Sequence, residues 1–175
     1  MAEILTPSQT VGPFFHYGLK WEPGETLFPD PKTPGKRIVL TGTITDGEGA
    51  PVPDAFLELW QPDGNGQFGG PVPGSCAGWG RVNTNNEGVY RADSVLPGAL
   101  GGQAPHILVV LFARGLLKQA VTRVYFGGEA ANASDAVLAS AGARKDTLVA
   151  RPEGDNRYVW NIVLQGRNET VFFDA

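Results

Sequence analysis

Short apolar runs separated by turn-forming residues constrain the fold of this chain most strongly. Residues 37–46, 56–61 and 106–113 are mostly aliphatic, aromatic or β-branched, and Gly, Pro, Asn and Asp cluster between such runs. The 175 residues include 24 Gly and 14 Pro, whereas only 18% are charged. This pattern predicts many short strands connected by turns rather than long helices.

We expect an all-β fold, an antiparallel β-sandwich of about seven to eight strands with one short helix. The predicted strands are residues 37–46, 56–61, 78–84, 89–93, 106–113, 118–126, 158–164 and 169–173, and the predicted helix is 129–141. Turn sequences at 85–88 and 165–168 predict hairpins between the strands that flank them.

The length of the chain suits one domain, preceded by a segment of different character. Residues 1–35 are rich in Pro, Gly and aromatic side chains and show no clean period. We therefore expect an irregular N-terminal arm over 1–35 that packs on a partner chain. The β-sandwich domain is expected over 36–175.

Charge and cysteine content exclude several classes of protein. The net charge is −4 and no run of Lys or Arg stands out, which argues against nucleic acid and anionic membranes as partners. The single cysteine, Cys76, cannot form an intrachain disulfide and suits a reducing compartment. The first residues lack the basic and apolar regions of a signal peptide. These features predict a cytoplasmic protein.

Few residues offer catalytic chemistry. The sequence has no Gly-rich phosphate loop and no nucleophile elbow, and Cys76 has no basic neighbour that would activate it. Of the two histidines, His16 lies among aromatic residues and is interpreted as a packing residue. His106 opens an apolar strand whose next residue on the same face is Leu108. This face of the strand carries one imidazole followed by an aliphatic side chain without a donor atom. The pattern favours a structural role for His106 over metal ligation.

Arg123 is the more informative charged residue. Alternation places it on one face of its strand with Val121 and Tyr125. An arginine among apolar neighbours needs an anion, which is either an internal carboxylate or the carboxylate of a ligand. The residues alone favour the internal ion pair. Residues 10–13 likewise have two interpretations. They form either an extended connector stiffened by proline, or a segment in which Gly12 lets the backbone come close to a ligand.

Seven segments, in this order and spacing, resemble the α subunits of the intradiol ring-cleaving dioxygenase family. The segments are TPSQTVGP at 6–13, DGEGAPVPDA at 46–55, LELWQPD at 57–63, APHI at 104–107, LFARGL at 111–116, TRVYF at 122–126 and ETVFFD at 169–174. The resemblance runs from about residue 6 to the C-terminus. It implies an enzyme in which α and β chains of similar β-sandwich fold pair, and several pairs assemble into a larger particle.

In that family the β subunit holds one Fe(III) through two Tyr and two His, and the enzyme cleaves a small aromatic acid with O2. This chain has Phe68 where the first iron tyrosine would fall, no tyrosine in 97–102, and Leu108 in place of the second histidine. Gln103 replaces a catalytic arginine of β chains. The resemblance therefore implies no catalytic residue and no metal site in this chain, with Phe68, His106 and Leu108 as vestigial positions. Fe(III) is expected in the partner β subunit.

The resemblance also implies that this chain contributes to the pocket of its partner. Thr10, Gly12 and Pro13 are expected to line the mouth of the β-subunit site. Arg123 is expected near its entrance, where a positive charge would steer and hold the substrate carboxylate.

Two other functions are weighed against this one. A single-chain iron enzyme would need ligands from His16, His106 and two tyrosines, and nothing in the spacing supports their convergence. The candidate tyrosines are Tyr17, Tyr90, Tyr125 and Tyr158. A transthyretin-like binding module is suggested by residues 42–53, but the matching terminal segments and the apolar arm argue against it.

Overall fold

The computed structural model describes residues 6–21, 23–69 and 77–174. Nine strands lie in these described ranges: β1 Arg37–Thr45, β2 Phe56–Trp60, β3 Trp79–Asn83, β4 Val89–Val95, β5 His106–Phe112, β6 Ala120–Phe126, β7 Val149–Pro152, β8 Arg157–Val159 and β9 Ile162–Val163. The helices are α1 Pro13–Gly18 and α2 Ala136–Ser140, with 3-10 helices at Ala130–Ser134 and Gly142–Leu148. The prediction of a mostly β fold with a short helix is confirmed.

The strands form one curled, mixed sheet rather than a purely antiparallel sandwich. The strand order is β3-β2-β5-β6-β7-β8-β1-β4, and β9 pairs with β1. Three of the pairings are parallel, namely β1–β8, β1–β9 and β6–β7. The parallel pair β6–β7 is possible because the helical segment 130–148 carries the chain back to the start of the next strand.

The core fills the inside of the curl. Alternate residues of β1 and β5 point inward and are fully buried, among them Ile38, Leu40, Ile107 and Val109. These residues belong to one apolar cluster, which joins the two halves of the curled sheet. Their burial supplies the main force that holds the fold.

At Gly42 the backbone of β1 lies very close to the backbone of Trp160 inside the curled sheet. Gly42 lies in β1 opposite Tyr90 of β4, and the Tyr90 hydroxyl donates a hydrogen bond to the Trp160 carbonyl oxygen at 2.7 Å. A Cβ built on Gly42 would overlap that same oxygen and lie 2.6 Å from the Trp160 carbonyl carbon. The strand therefore needs a residue without a side chain at this position.

Two predicted hairpins are wrong. The turn at 85–88 does form, because Gly88 N donates to Asn85 O at 2.9 Å. However, the strands that flank it pair elsewhere, β3 with β2 and β4 with β1, and so lie at opposite ends of the strand order. Near the C-terminus, Thr170 N donates to Val163 O, but Phe173 then bridges Val121 of β6 instead of continuing a hairpin.

The predicted helix at 129–141 is interrupted at Asp135. This residue has an extended backbone, with φ −75° and ψ 116°, and its side chain accepts a hydrogen bond from Leu138 N. It therefore caps α2 and ends the preceding 3-10 helix. Among the described residues, no helix has the length and apolar character needed to cross a membrane.

The N-terminal arm has two parts. Leu27 and Phe28 are buried in the core of their own chain, and Leu27 N donates to Asp93 O. Earlier residues form α1, which begins at Pro13 in the position where proline best fits a helix. On α1 the side chains of Phe14 and Tyr17 are 85% and 79% exposed. Packing of the arm on a partner chain stays a prediction.

Candidate functional site

The candidate site lies on the outer face of the sheet, where β2, β5 and β6 run side by side. Trp60 of β2 pairs with Leu108 of β5, which in turn pairs with Arg123 of β6. All three side chains point away from the core, because the neighbours of each residue along its own strand are buried. Leu108 therefore lies between an exposed indole and a half-buried guanidinium.

His106 begins β5 opposite Tyr125, and their ring centroids are 5.4 Å apart. Its Nδ1 atom lies 2.8 Å from the carbonyl oxygen of Ala104. Burial lowers the pKa of His106, the hydrogen bond to Ala104 opposes this, and the charge of Arg123 lowers the pKa further. The lowered pKa favours the neutral imidazole, and Nδ1 has a backbone partner within the chain.

Arg123 has a neutral partner instead of the expected internal anion. Its Nη1 donates to the Gln103 side-chain oxygen at 2.7 Å. Burial raises the pKa of the Tyr125 hydroxyl, and the nearby guanidinium opposes that rise. Within the described part of the chain, Arg123 forms no ion pair. The half-buried guanidinium of Arg123 is thus held by a neutral group, and no ion pair in the described residues offsets its charge.

Asp135 is the site residue that sequence reasoning missed. It is 2% exposed and accepts hydrogen bonds from Ala104 N and Leu138 N at 2.8 Å and from the Tyr125 hydroxyl at 3.1 Å. Burial would raise the pKa of this carboxyl, but the hydrogen bonds outweigh burial and lower it. The only local signal was an acidic residue just before a short alanine-rich run, which fits a helix cap.

Phe68 and Leu108 provide no metal donor at the positions where the family resemblance implied iron ligands. The Phe68 ring stacks on Trp60 with centroids 5.5 Å apart, and both rings are partly exposed. Gln103 closes a tight turn with Leu100, and Gly101 and Gly102 inside that turn have φ values of 58° and 80°. No tyrosine lies in that turn.

The described residues do not fit an iron site. Non-haem iron needs several nitrogen and oxygen donors around one point, and no group of three His, Cys, Asp or Glu converges in the described ranges. Two of the alternative tyrosine ligands are directed to different partners. The Tyr90 hydroxyl is directed to Trp160 O in the core and the Tyr125 hydroxyl to Asp135. The side chain of His16 lies outside the described residues.

The arm residues Thr10, Gly12 and Pro13 lie at the other end of the β5–β6 pair. Thr10 Oγ1 accepts a hydrogen bond from Gly115 N at 2.7 Å, in the loop that follows β5. Gly12 precedes α1, and Pro13, whose side chain lies outside the described residues, begins it. A gap of about 180 Å³ separates the arm from the 116–119 loop, smaller than the roughly 300–1,000 Å³ of ligand pockets.

Thr10 and Arg123 are therefore not brought together within this chain. Arg123 pairs with Leu108 near the start of β5, whereas Thr10 binds the loop beyond its end. The three residue steps along β6 from Ala120 to Arg123 already span about 10 Å, at about 3.3 Å per step. The predicted pocket residues therefore form two separate groups.

Two solved structures that are named as dioxygenases share this fold. The dioxygenase domain of a carbohydrate-binding fusion protein from Streptomyces sp. SirexAA-E superposes with a TM-score of 0.67 over 91% of this chain and 98% of that one, at 23% identity. Catechol 1,2-dioxygenase from Acinetobacter sp. ADP1 superposes with a TM-score of 0.64 over 79% and 55%, at 18% identity. The chain therefore has the fold of these two solved structures, and within its described residues no group of three His, Cys, Asp or Glu converges.

Sequence comparison gives the family directly. A family model described as Dioxygenase matches residues 10–105. The protocatechuate 3,4-dioxygenase alpha chain of Burkholderia cepacia is 40% identical, over 97% of both chains. The alpha chain from Pseudomonas putida is 38% identical, over 97% of this chain and 96% of that one. The Burkholderia cepacia beta chain is 32% identical over 78% and 67%. The chain belongs to the intradiol ring-cleavage dioxygenase family.

Proposed function

We propose that this chain is the α subunit of a protocatechuate 3,4-dioxygenase. In this proposal a β subunit holds Fe(III), and several α/β pairs form the enzyme. The enzyme cleaves protocatechuate between its two hydroxyl-bearing carbons with O2 and yields 3-carboxy-cis,cis-muconate. The similarity to two α chains over nearly their whole length supports the assignment. Phe68 and Leu108 have no donor atom at positions where the resemblance implies iron ligands, which supports placing the iron in the partner.

The half-buried Arg123 is the observation that carries a role in substrate binding. Its hydrogen-bond partner, Gln103, is neutral, so no ion pair among the described residues offsets the guanidinium charge. A charge in partly desolvated surroundings attracts a carboxylate more strongly than one in water does. Arginine also offers several N–H donors that match a carboxylate. The substrate carboxylate is the anion that we assign to it.

Gly12 supports the proposed role of the arm. Its φ of −95° suits any residue, and a Cβ built on it meets nothing within 4 Å. Nothing in the described part of the chain therefore requires glycine at this position. Close approach of a partner chain or a ligand gives a reason for the small residue, and Thr10 and Pro13 flank that point.

Replacing Arg123 by alanine in the α/β enzyme is expected to raise KM for protocatechuate by roughly tenfold. A lost contact to a charged group costs about 1–3 kcal/mol of binding, and each 1.4 kcal/mol is about tenfold. Steady-state kinetics with protocatechuate measure the change. Arg157→Ala is the control, because this arginine is exposed and paired with Glu153. Unchanged kinetics in Arg123→Ala would remove Arg123 from the pocket.

Iron content distinguishes the α-subunit role from the single-chain enzyme. The chain purified alone after growth with ample iron is expected to be colourless and to contain no stoichiometric iron, since His106 is the only donor left at the vestigial positions. Metal analysis and visible absorption measure this. The α/β complex prepared in the same way is the control and is expected to contain iron. Stoichiometric iron with a tyrosinate colour in the lone chain would contradict the proposal.

A further inference from the structure

We propose that Gln103 is a positioning residue that holds the Arg123 guanidinium in place for the substrate carboxylate while leaving its charge intact. This inference rests on the proposed function. Gln103 touches Arg123 and is not assigned a contact with substrate. Its role follows from three features, namely a rigid turn, a shared anchor and the neutrality of the amide.

The turn that carries Gln103 is tightly fixed. Gln103 N donates to Leu100 O at 2.9 Å, and Leu100 N donates back to Gln103 O at 3.4 Å. Gly101 and Gly102 between them both have positive φ values, a conformation that other residues adopt at a cost. The side chain of Gln103 therefore starts from a backbone with little freedom.

One buried carboxylate anchors both sides of the Gln103–Arg123 hydrogen bond. Asp135 accepts from Ala104 N, the residue directly after Gln103, at 2.8 Å. It also accepts from the hydroxyl of Tyr125, which lies two residues after Arg123 in β6, at 3.1 Å. The turn and the strand are thus held in register by the same group. This arrangement fixes the distance that the 2.7 Å hydrogen bond between Gln103 and Arg123 spans.

The neutrality of the amide matters as much as its reach. A carboxylate at position 103 would also accept from Arg123 Nη1, but it would form an ion pair and cancel the positive charge. Gln103 accepts from one of the five N–H donors of the guanidinium, and the Tyr125 hydroxyl interacts with the same group, which leaves further donors for a ligand. Neighbouring Leu108 carries no charge, and the lowered pKa of His106 favours its neutral form. The buried Asp135 carboxylate accepts from Ala104 N, Leu138 N and the Tyr125 hydroxyl. The site therefore presents an oriented cation.

The test uses the α/β enzyme with two substrates, protocatechuate and catechol, which lacks the carboxylate. Gln103→Glu, which changes charge but hardly changes size, is expected to raise KM for protocatechuate by roughly tenfold. Its kcat and its KM for catechol are expected to stay within about twofold of the unmodified enzyme. Gln103→Met, which keeps the size but removes the acceptor, is expected to raise KM for protocatechuate by about threefold.

A double variant separates positioning from simple repulsion. If the Gln103→Glu substitution acts by neutralising Arg123, adding it to Arg123→Ala raises KM no further. A further rise in that background would overturn the inference, because the introduced carboxylate would then act on substrate directly. A normal KM in both Gln103 variants, with a raised KM in Arg123→Ala, would overturn the inference alone. A normal KM in Arg123→Ala would overturn the proposed pocket role of Arg123 and the inference with it.

Discussion

Replacing Asp135 by alanine is expected to lower the free energy of unfolding by about 3 kcal/mol. The side chain is 2% exposed and accepts three hydrogen bonds, from Ala104 N, Leu138 N and the Tyr125 hydroxyl. Alanine would leave these donors without their acceptor, and water reaches them poorly. It would also remove the cap of α2. Chemical denaturation of the purified chain measures the change.

Asp155→Ala is the matched control, because Asp155 is exposed and its removal is expected to change stability by no more than about 0.5 kcal/mol. An equal, small effect in both variants would contradict the buried role of Asp135.

The pH dependence of stability gives a second test of the Asp135→Ala variant. The hydrogen bonds lower the pKa of Asp135 in the folded chain. Its contribution to stability is therefore fully present above the ordinary carboxyl pKa of about 4 and is lost as the pH falls through the lower folded pKa. We expect the unmodified chain to lose this part of its stability between those two pKa values. Asp135→Ala is expected to lack it.

Replacing Gly42 by alanine is expected to cost more than about 3 kcal/mol, at the upper end of the effects of overpacking. The added Cβ would overlap the Trp160 carbonyl oxygen and lie 3.1 Å from Cε1 of Tyr90. The first neighbour is backbone, and β1 is held by β4 on one side and by β8 and β9 on the other. The strand therefore cannot move aside. The yield of soluble protein and its melting temperature measure the effect.

Gly18→Ala is the control for this substitution. Gly18 ends α1, and a Cβ built on it meets nothing within 4 Å. Alanine is expected to leave stability unchanged within about 0.5 kcal/mol there. A Gly42→Ala chain as stable as the unmodified one would mean that β1 and Trp160 pack less closely than the structure shows.

Local patterns predicted most of the strands but not their pairing. Alternation and turn residues place β1, β2 and β5 within one or two residues of their observed bounds. Which strands pair depends instead on contacts between distant parts of the chain. The turn at 85–88 has the sequence of a hairpin, yet β3 and β4 pair with β2 and β1. Strand β7 was missed because its four residues carry no clear alternation.

For the site, too, local patterns were predictable and contacts between distant residues were not. Alternation correctly placed Arg123 and Tyr125 on one face, and the family resemblance identified Phe68 and Leu108 as positions without donors. The partner of Arg123 was not predictable, because Gln103 lies 20 residues earlier in the sequence. Asp135 was missed since its hydrogen bond to Ala104 spans 31 residues. The roles of Thr10, Gly12, Pro13 and Arg123 in a shared pocket stay predictions.

The exposed aromatic side chains of α1 have a consequence for the cell that makes this chain. Phe14 and Tyr17 lie almost fully in solvent when the chain stands alone, and exposed apolar surface of this kind attracts chaperones, proteases and other unfolded chains. Under the proposed function, a β subunit would cover them. Surplus copies would then be cleared or aggregate, so the genes for the two subunits need matched expression.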